Sequence, residues 1–268
     1  MSRPRLMRKD WDSDFFGREV FSLEDPERTG LAHLAVELAS LDSAGTWATE
    51  CHLVSADFAI APTLEELGFR LVDSKMTFLS VRAHGDTPHV EVPYGLIRTA
   101  TEGDLSAIDD MTTRHLVDNP DFHSRFKDRR LYSRDESIRY YAAWNQLVLD
   151  RQPELFAVWD SGAGVVAYFN YLRDGIRDDL PVFKGVLTAV EKEHRGHQAH
   201  NALQSFLFEQ FGVDRFVLNN TTQVTNLAVV TNHIRARKQL HEAIFTFYRL
   251  NPRESVWADD SGRSLSDG

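Results

Sequence analysis

The sequence predicts a mixed α/β protein: a sheet layer flanked by helices, preceded by a smaller N-terminal α/β domain. Three observations lead there. Strand-like runs alternate with segments of helical spacing along the chain. Leu155 to Trp159, the turn 160–164 and Val165 to Tyr171 form a hairpin pattern. An apolar run ending at Val190 passes through a polar, basic turn into Asn201-Ala202-Leu203-Gln204-Ser205-Phe206-Leu207-Phe208, whose apolar residues recur at helical spacing.

Taken in order, Leu31 to Leu41 predicts an amphipathic helix, residues 51–55 a short strand, and Pro62 to Leu67 a helix stopped by Gly68. Lys75 to Val81 predicts a strand. The polar stretch after it, with Gly85 and Pro88, is the natural linker. The domains expected are therefore residues 1–84, a linker at 85–92, and a main domain at 93–250. Within the main domain, residues 95–100 read as a strand, Asp104 to Thr113 as a helix entered through a polar cap, and Ser133 to Leu149 as a second helix. After the hairpin come a strand at 182–190, the basic turn with its helix, a strand at 215–218, a helix at 226–237 and a strand at 245–250. Residues 251–268, polar and rich in Ser, Asp and Gly, read as a disordered tail.

A length of 268 residues allows one large domain or two small ones with ample core. A formal charge of −10 argues against a nucleic-acid binder working through its overall field, and against attachment to an anionic membrane. The single Cys51 rules out an intrachain disulfide framework and fits a reducing cytoplasm. No apolar run approaches the ~20 residues that span a bilayer, and the basic N-terminus has no apolar core of a signal peptide behind it.

The turn carries the chemistry. A helix N-terminus directs its free N–H groups and its positive dipole end at whatever occupies the preceding loop. With Arg195 those donors suit a phosphate or pyrophosphate; the plainer alternative is a solvated strand-to-helix loop. His194, His197 and His200 suggest a metal site only weakly. No Cys or paired carboxylate stands at ligand spacing, so a polar or phosphate-binding turn is expected and no metal.

The segment resembles the pyrophosphate loop of the GNAT acetyltransferase superfamily, a valine-ended strand running into Arg-Gly-x-Gly-x-Gly/Ala: Val190, Arg195 and Gly196 match, while Gln198 and His200 replace small residues. Further segments are similar to the sugar-nucleotide N-acetyltransferase branch, typified by dTDP-fucosamine acetyltransferases. These are Trp11 to Gly17, Leu67 to Asp73, His123-Ser124-Arg125-Phe126-Lys127-Asp128 with Tyr141 and Trp144, Thr222-Gln223-Val224-Thr225-Asn226, and Thr246-Phe247-Tyr248. The Gly-Phe that follows the branch's last helix is replaced by Arg237-Lys238, and Tyr248 stands where the branch has histidine.

The resemblance implies a mainly antiparallel GNAT-like sheet over 93–250 and transfer of an acyl group from acetyl-CoA or another acyl-CoA to a primary amine. It implies donor contacts from Thr188, Ala189, Val190, Arg195, Gly196, His197, Gln198, Ala199, His200 and Asn226. Asn226, at a helix start, can also cap that helix. His233 falls where the family's tyrosine acid stands; an imidazolium there would protonate the leaving thiolate, the alternative being a helix-surface or core histidine. His123, Arg125 and Phe126 fall on the loop that covers the acceptor. Arg125 is read either as a clamp for an acceptor anion or as an internal ion pair with Asp121 or Asp128. Trp11 to Gly17 is expected to pack the small domain's core.

Three readings of function follow. The first is an acyl-CoA-dependent N-acyltransferase, its acceptor a small-molecule amine such as an amino-sugar nucleotide, with a homodimer as the common assembly. The second takes the acyl group from the phosphopantetheine of an acyl carrier protein, which Gln198 and His200 would tolerate. The third is a catalytically idle GNAT fold serving as a binding subunit.

Overall fold

The computed structural model describes residues 5–25, 31–86 and 90–253. The chain divides into two compact units, Met1–Lys75 with Glu242–Gly268, and Met76–His241. The expected boundary at residue 84 thus falls at Lys75, and the end of the chain returns to the first unit. The linker expected at 85–92 falls partly outside the described residues, and so does the tail beyond Arg253.

In the first unit β1 (Arg5–Arg8) pairs antiparallel with β2 (Val20–Glu24), and β2 runs parallel to β3 (Ala48–Val54). A parallel pair needs a crossover, supplied by α2 (Leu31–Ser43). The last strand, β10 (Gln239–Leu250), adds antiparallel to β3, with Phe247 opposite Cys51. The core lies between Leu23, Leu34, Leu38, Cys51, Leu64, Phe69 and Phe247, with Leu64 on α3 (Ala61–Glu66). Burial, with Glu24 and Glu50 nearby, pushes the Cys51 thiol up to about 12. The Trp11 to Gly17 segment forms α1 (Asp10–Phe16), closed by Gly17 in the left-handed region at φ 65°. It corrects the expected core role of Trp11, which is 45% exposed and stacks on Phe15; Asp12 and Ser13 are the buried residues. Glu50, also buried, accepts from Tyr248 Oη at 2.5 Å and from the Lys9 ammonium.

The second unit is a meander. β5 (Leu96–Thr99), β6 (Phe156–Asp160), β7 (Val165–Arg177) and β8 (Leu180–Val190) pair antiparallel in sequence, and β9 (Arg215–Gln223) then joins β8 in parallel. β4 (Arg70–Ala83) lies beside β9, with Thr77 Oγ1 3.1 Å from Thr221 Oγ1. The β7–β8 hairpin runs well past Tyr171 to a two-residue tip, Asp178 and Asp179, both at positive φ (49° and 62°). That is the backbone a right-twisted hairpin demands, and aspartate tolerates it.

α4 (Leu105–Thr112) and α5 (Arg134–Arg151) pack against the meander, with Thr112 Oγ1 2.7 Å from Tyr168 Oη. α5 starts in a reciprocal cap: the Ser133 N–H donates to Glu136 Oε2 at 2.7 Å, and the Glu136 N–H to Ser133 Oγ at 3.1 Å. α6 (Ala199–Gln210) sets Leu203, Leu207 and Phe208 against Phe169, Phe183, Phe216 and Leu218. α7 (Leu227–Arg235) follows β9. No helix among the described residues is long and apolar enough to cross a membrane.

Candidate active site

Two neighbouring strands that begin paired and then part define the site. β8 and β9 are in register from Val182–Val217 to Gly185–Asn220, and no pairing follows although both strands continue. β8 stays on β7 to its end, where Val190 stands opposite Ala167. Its register there slips between Phe169–Thr188 and Tyr171–Gly185, placing one extra residue in β8. A buried amide meets this bulge, since Asn170 Oδ1 accepts the Leu187 N–H at 2.8 Å. The Glu191 N–H likewise bonds back across β7, to Val166 O at 2.9 Å. Backbone groups alternate in direction along a strand. With Leu187 and Glu191 turned to β7, Thr188 and Val190 turn theirs into the gap, and Ala189 faces back to β7.

Gly185 closes the gap at its narrow end. A Cβ there would stand 2.5 Å from Asn220 Nδ2 and 3.4 Å from the Phe169 ring. Asn220 Oδ1 accepts from Lys238 Nζ at 2.8 Å. Lys238 is buried, and that burial, helped by the charge of Arg82, pushes its amine down to about 7. Two imidazoles complete the cluster. His200 stacks on Phe169 at 4.9 Å, and His233 lies 6.5 Å from His200 and 4.9 Å from Phe78.

At the open end, Lys192 to His194 make one 3-10 turn, Gly196 takes φ 85°, and Gln198 takes φ 56° as the residue before α6. A left-handed glutamine costs roughly 1 kcal/mol against glycine. Its side chain makes no capping bond, so the first N–H groups of α6 keep no side-chain acceptor. Arg195 donates through Nε to Val190 O at 3.2 Å and through Nη2 to His115 Nδ1 at 3.1 Å. An acceptor at Nδ1 leaves His115 its proton on Nε2, which faces Glu191 Oε2 at 3.0 Å.

The structure brings Thr188, Val190, Arg195, Gly196, Gln198 and Ala199 together along this gap and turn. The three histidines diverge: His194 Nδ1 is 2.5 Å from Tyr94 Oη, the His197 ring is 6.5 Å from Tyr94, and His200 turns inward. Among the described residues no three His, Cys, Asp or Glu side chains converge as metal ligands. Asn226 stands just before α7, but its side chain makes no capping bond.

Two expectations are corrected. Burial first, then Lys238 and His200, pushes His233 down to about 3, so at neutral pH it is a neutral imidazole and no imidazolium donor. The acceptor loop also turns inward. Phe126 is 4% exposed and packed among Tyr132, Tyr140, Tyr141 and Trp144, and Arg125 is 6% exposed with its guanidinium 4.8 Å from the Phe126 ring. Asp128, offered as a partner for Arg125, is held by Arg130 at 2.6 Å. His123 stays exposed. Sequence reasoning missed Gly185, Asn170 and Asn220, which carry no motif. It met Lys238 only as a departure from the family pattern.

Neither a protein-family model nor a curated protein matches the sequence. Solved structures do match by shape. A tandem GNAT protein from the clavulanic acid biosynthesis pathway superposes with a TM-score of 0.59 at 11% identity, over 88% of this chain and 76% of that one. A GCN5-related N-acetyltransferase from Sphaerobacter thermophilus gives 0.55 at 13% identity, over 92% and 76%. Another from Kribbella flavida gives 0.50 at 13%, over 86% and 81%. At such identities the likeness fixes the architecture alone, and that architecture is the GNAT fold.

Proposed function

We propose that the protein is an N-acyltransferase moving a short acyl group from acyl-CoA to a primary amine of a small molecule. The observation that carries this reading is the parting of β8 from β9 beyond Gly185–Asn220, with a basic helix-capping turn at its open end. A pantetheine arm fits a slot edged by the unpaired backbone groups of Thr188 and Val190. A pyrophosphate fits the amides opening α6 and the guanidinium of Arg195. Bound there, the thioester would supply an activated acyl carbon.

The residues then divide the work. Thr188 and Val190 orient the arm, and the bulge held by Asn170 keeps their backbone groups turned into the slot. Lys238, beside the narrow end and near half-protonated at neutral pH, holds at Nζ the proton that a leaving thiolate needs. His233 and His200 are neutral and line that end. The acceptor that the sequence segments suggest is an amino-sugar nucleotide.

One observation favours a second donor. Arg195 already serves Val190 O and His115, and Gln198 replaces glycine, which suits a carrier-protein pantetheine with its single phosphate. Titration with acetyl-CoA, run beside an acyl-loaded carrier protein and followed by intact-mass screening of amines, tests both. No saturable binding of either donor at millimolar concentration overturns the reading.

A further inference from the structure

The second unit contains a cleft of about 440 Å³ that the slot between β8 and β9 does not use. It is lined by the end of β4, the turn from α7 into β10, and the tip of the β7–β8 hairpin. Arg82, Arg177 and Arg237 face it with only Asp178 in opposition, on a chain whose formal charge is −10. Asp178 does little to neutralise them. Its carboxylate is 89% exposed and 3.9 Å from Arg177 Nε, where solvent screens the pair.

The arginines are positioned. Arg82 Nη2 donates to Ala236 O at 2.7 Å, at the end of α7. Arg177 Nη1 lies 3.3 Å from His241 Nε2, a second lining residue. Arg237 is held in a backbone state that arginine disfavours. It takes φ 54° directly after α7, where the Arg237 N–H returns to Ile234 O at 2.9 Å and the Lys238 N–H to His233 O at 3.0 Å. Such a helix end calls for glycine, and strain kept by a charged residue beside a cleft points to use. Ser80 Oγ, on the same lining, is buried without a hydrogen-bond partner among the described residues.

Position ties the cleft to the reaction. Val217 lines it and pairs with Val182, three pairs before the strands part at Gly185–Asn220. At about 3.3 Å per residue that is roughly 10 Å. Phe216 and Leu218 face the α6 core, so Val217 points to the opposite face of β9. An acceptor coming from that face meets the narrow end of the slot without crossing the donor turn.

We propose that this cleft seats the anionic group of the acyl acceptor, a phosphate or a carboxylate, and that the acceptor is a primary amine carrying that group roughly 10 Å away. The inference rests on the acyltransfer reading above, and it assigns the recognition to Arg177 and Arg237, with Arg82 and Ser80 beside them.

The test uses the full chain and calorimetric titration with 6-aminohexyl phosphate, 6-aminohexanoate and the neutral 6-amino-1-hexanol. At least one anionic amine should bind tenfold or more tightly than the alcohol, and the tighter of the two identifies the anion. Arg177→Gln should weaken that binding about tenfold or more. Arg237→Gly should weaken it similarly while raising the Tm, because glycine accepts the left-handed turn; a merely structural arginine would give the higher Tm alone. Equal binding of all three amines, or Arg237→Gly with higher Tm and unchanged affinity, overturns the proposal. Acetyl-CoA titrated in parallel separates the two readings. Donor binding without anion preference sinks the cleft alone, whereas anion preference without any donor binding leaves the cleft standing and sinks acyl transfer.

Discussion

Replacing Lys238 by methionine should make the protein more stable at pH 7 and a poorer catalyst, and the stability gain should vanish as the pH rises. The Lys238 amine is buried against Asn220 and its pKa is pushed from 10.5 down to about 7. Because the folded value lies below the unfolded one, the unfolded chain binds more protons between about 7 and 10.5, so stability rises with pH across that window. The penalty is fully present below pH 7 and is gone above 10.5. At pH 7 it amounts to ~4 kcal/mol, and at pH 9 to ~2 kcal/mol. Methionine removes the term but strands Asn220 Oδ1, which costs ~1–3 kcal/mol at every pH. The variant should therefore be more stable by ~1–3 kcal/mol at pH 7 and about equal to the wild type at pH 9. Urea unfolding of both proteins between pH 6.5 and 10, analysed as the difference between them, isolates the lysine from every other titrating group. His200 and His233 do not intrude, since both are pushed down to about 3 and act only in acid. A difference that stays flat from pH 7 to 10 would refute the assignment, because it would mean a lysine carrying its ordinary, solvated charge.

Other outcomes follow from the same geometry. Gly185→Ala should destabilise by ~1–3 kcal/mol and weaken acetyl-CoA binding, because its Cβ would drive into Asn220 Nδ2; unfolding and calorimetry report each separately. Asn170→Leu leaves the Leu187 N–H unsatisfied and should cost ~1–3 kcal/mol, with a fall in kcat larger than the change in donor Kd. In the first unit, Glu50→Gln removes the charge that Lys9 and the Tyr248 hydroxyl both serve and should cost ~3–5 kcal/mol, visible as a lower Tm with acetyl-CoA affinity unchanged.

Much of the layer order was readable from the sequence because apolar spacing reports which face of an element is buried. The 155–171 hairpin, the strand ending at Val190 and the helix after the basic turn all stand where that spacing places them. What escaped was set by contacts distant in sequence. β1 and β2 are four and five residues long and are stabilised by pairing rather than by periodicity. The extension of β7 and β8 rests on two left-handed aspartates that do not announce a tight turn as Asn-Gly would. The Ser133–Glu136 cap, by contrast, was legible, since Ser-x-x-Glu before a helix is a recognised start signal.

In the site, the turn could be placed from its strand-to-helix context, yet the direction of each side chain could not. Phe126 and Arg125 look like surface groups in a polar loop, but an aromatic cluster from α5 draws them inward. His233 has the right number for an acid and the wrong surroundings, because burial strips the imidazole of its proton. Lys238 shows the reverse. As a lone lysine after a helix it reads as solvated, and only its burial beside Asn220 makes it a proton carrier near neutrality.

The sealed thiol of Cys51 has a practical consequence. With its sulfur buried and its ionisation pushed up to about 12, the sole cysteine is close to inert towards disulfide reagents at the pH of a rate measurement. Coenzyme A released during turnover can thus be counted by a colorimetric thiol reagent with little background from the enzyme. By the same logic, a cysteine introduced at an exposed position would accept a fluorophore at that site alone, giving a reporter for ligand arrival without prior removal of the native residue.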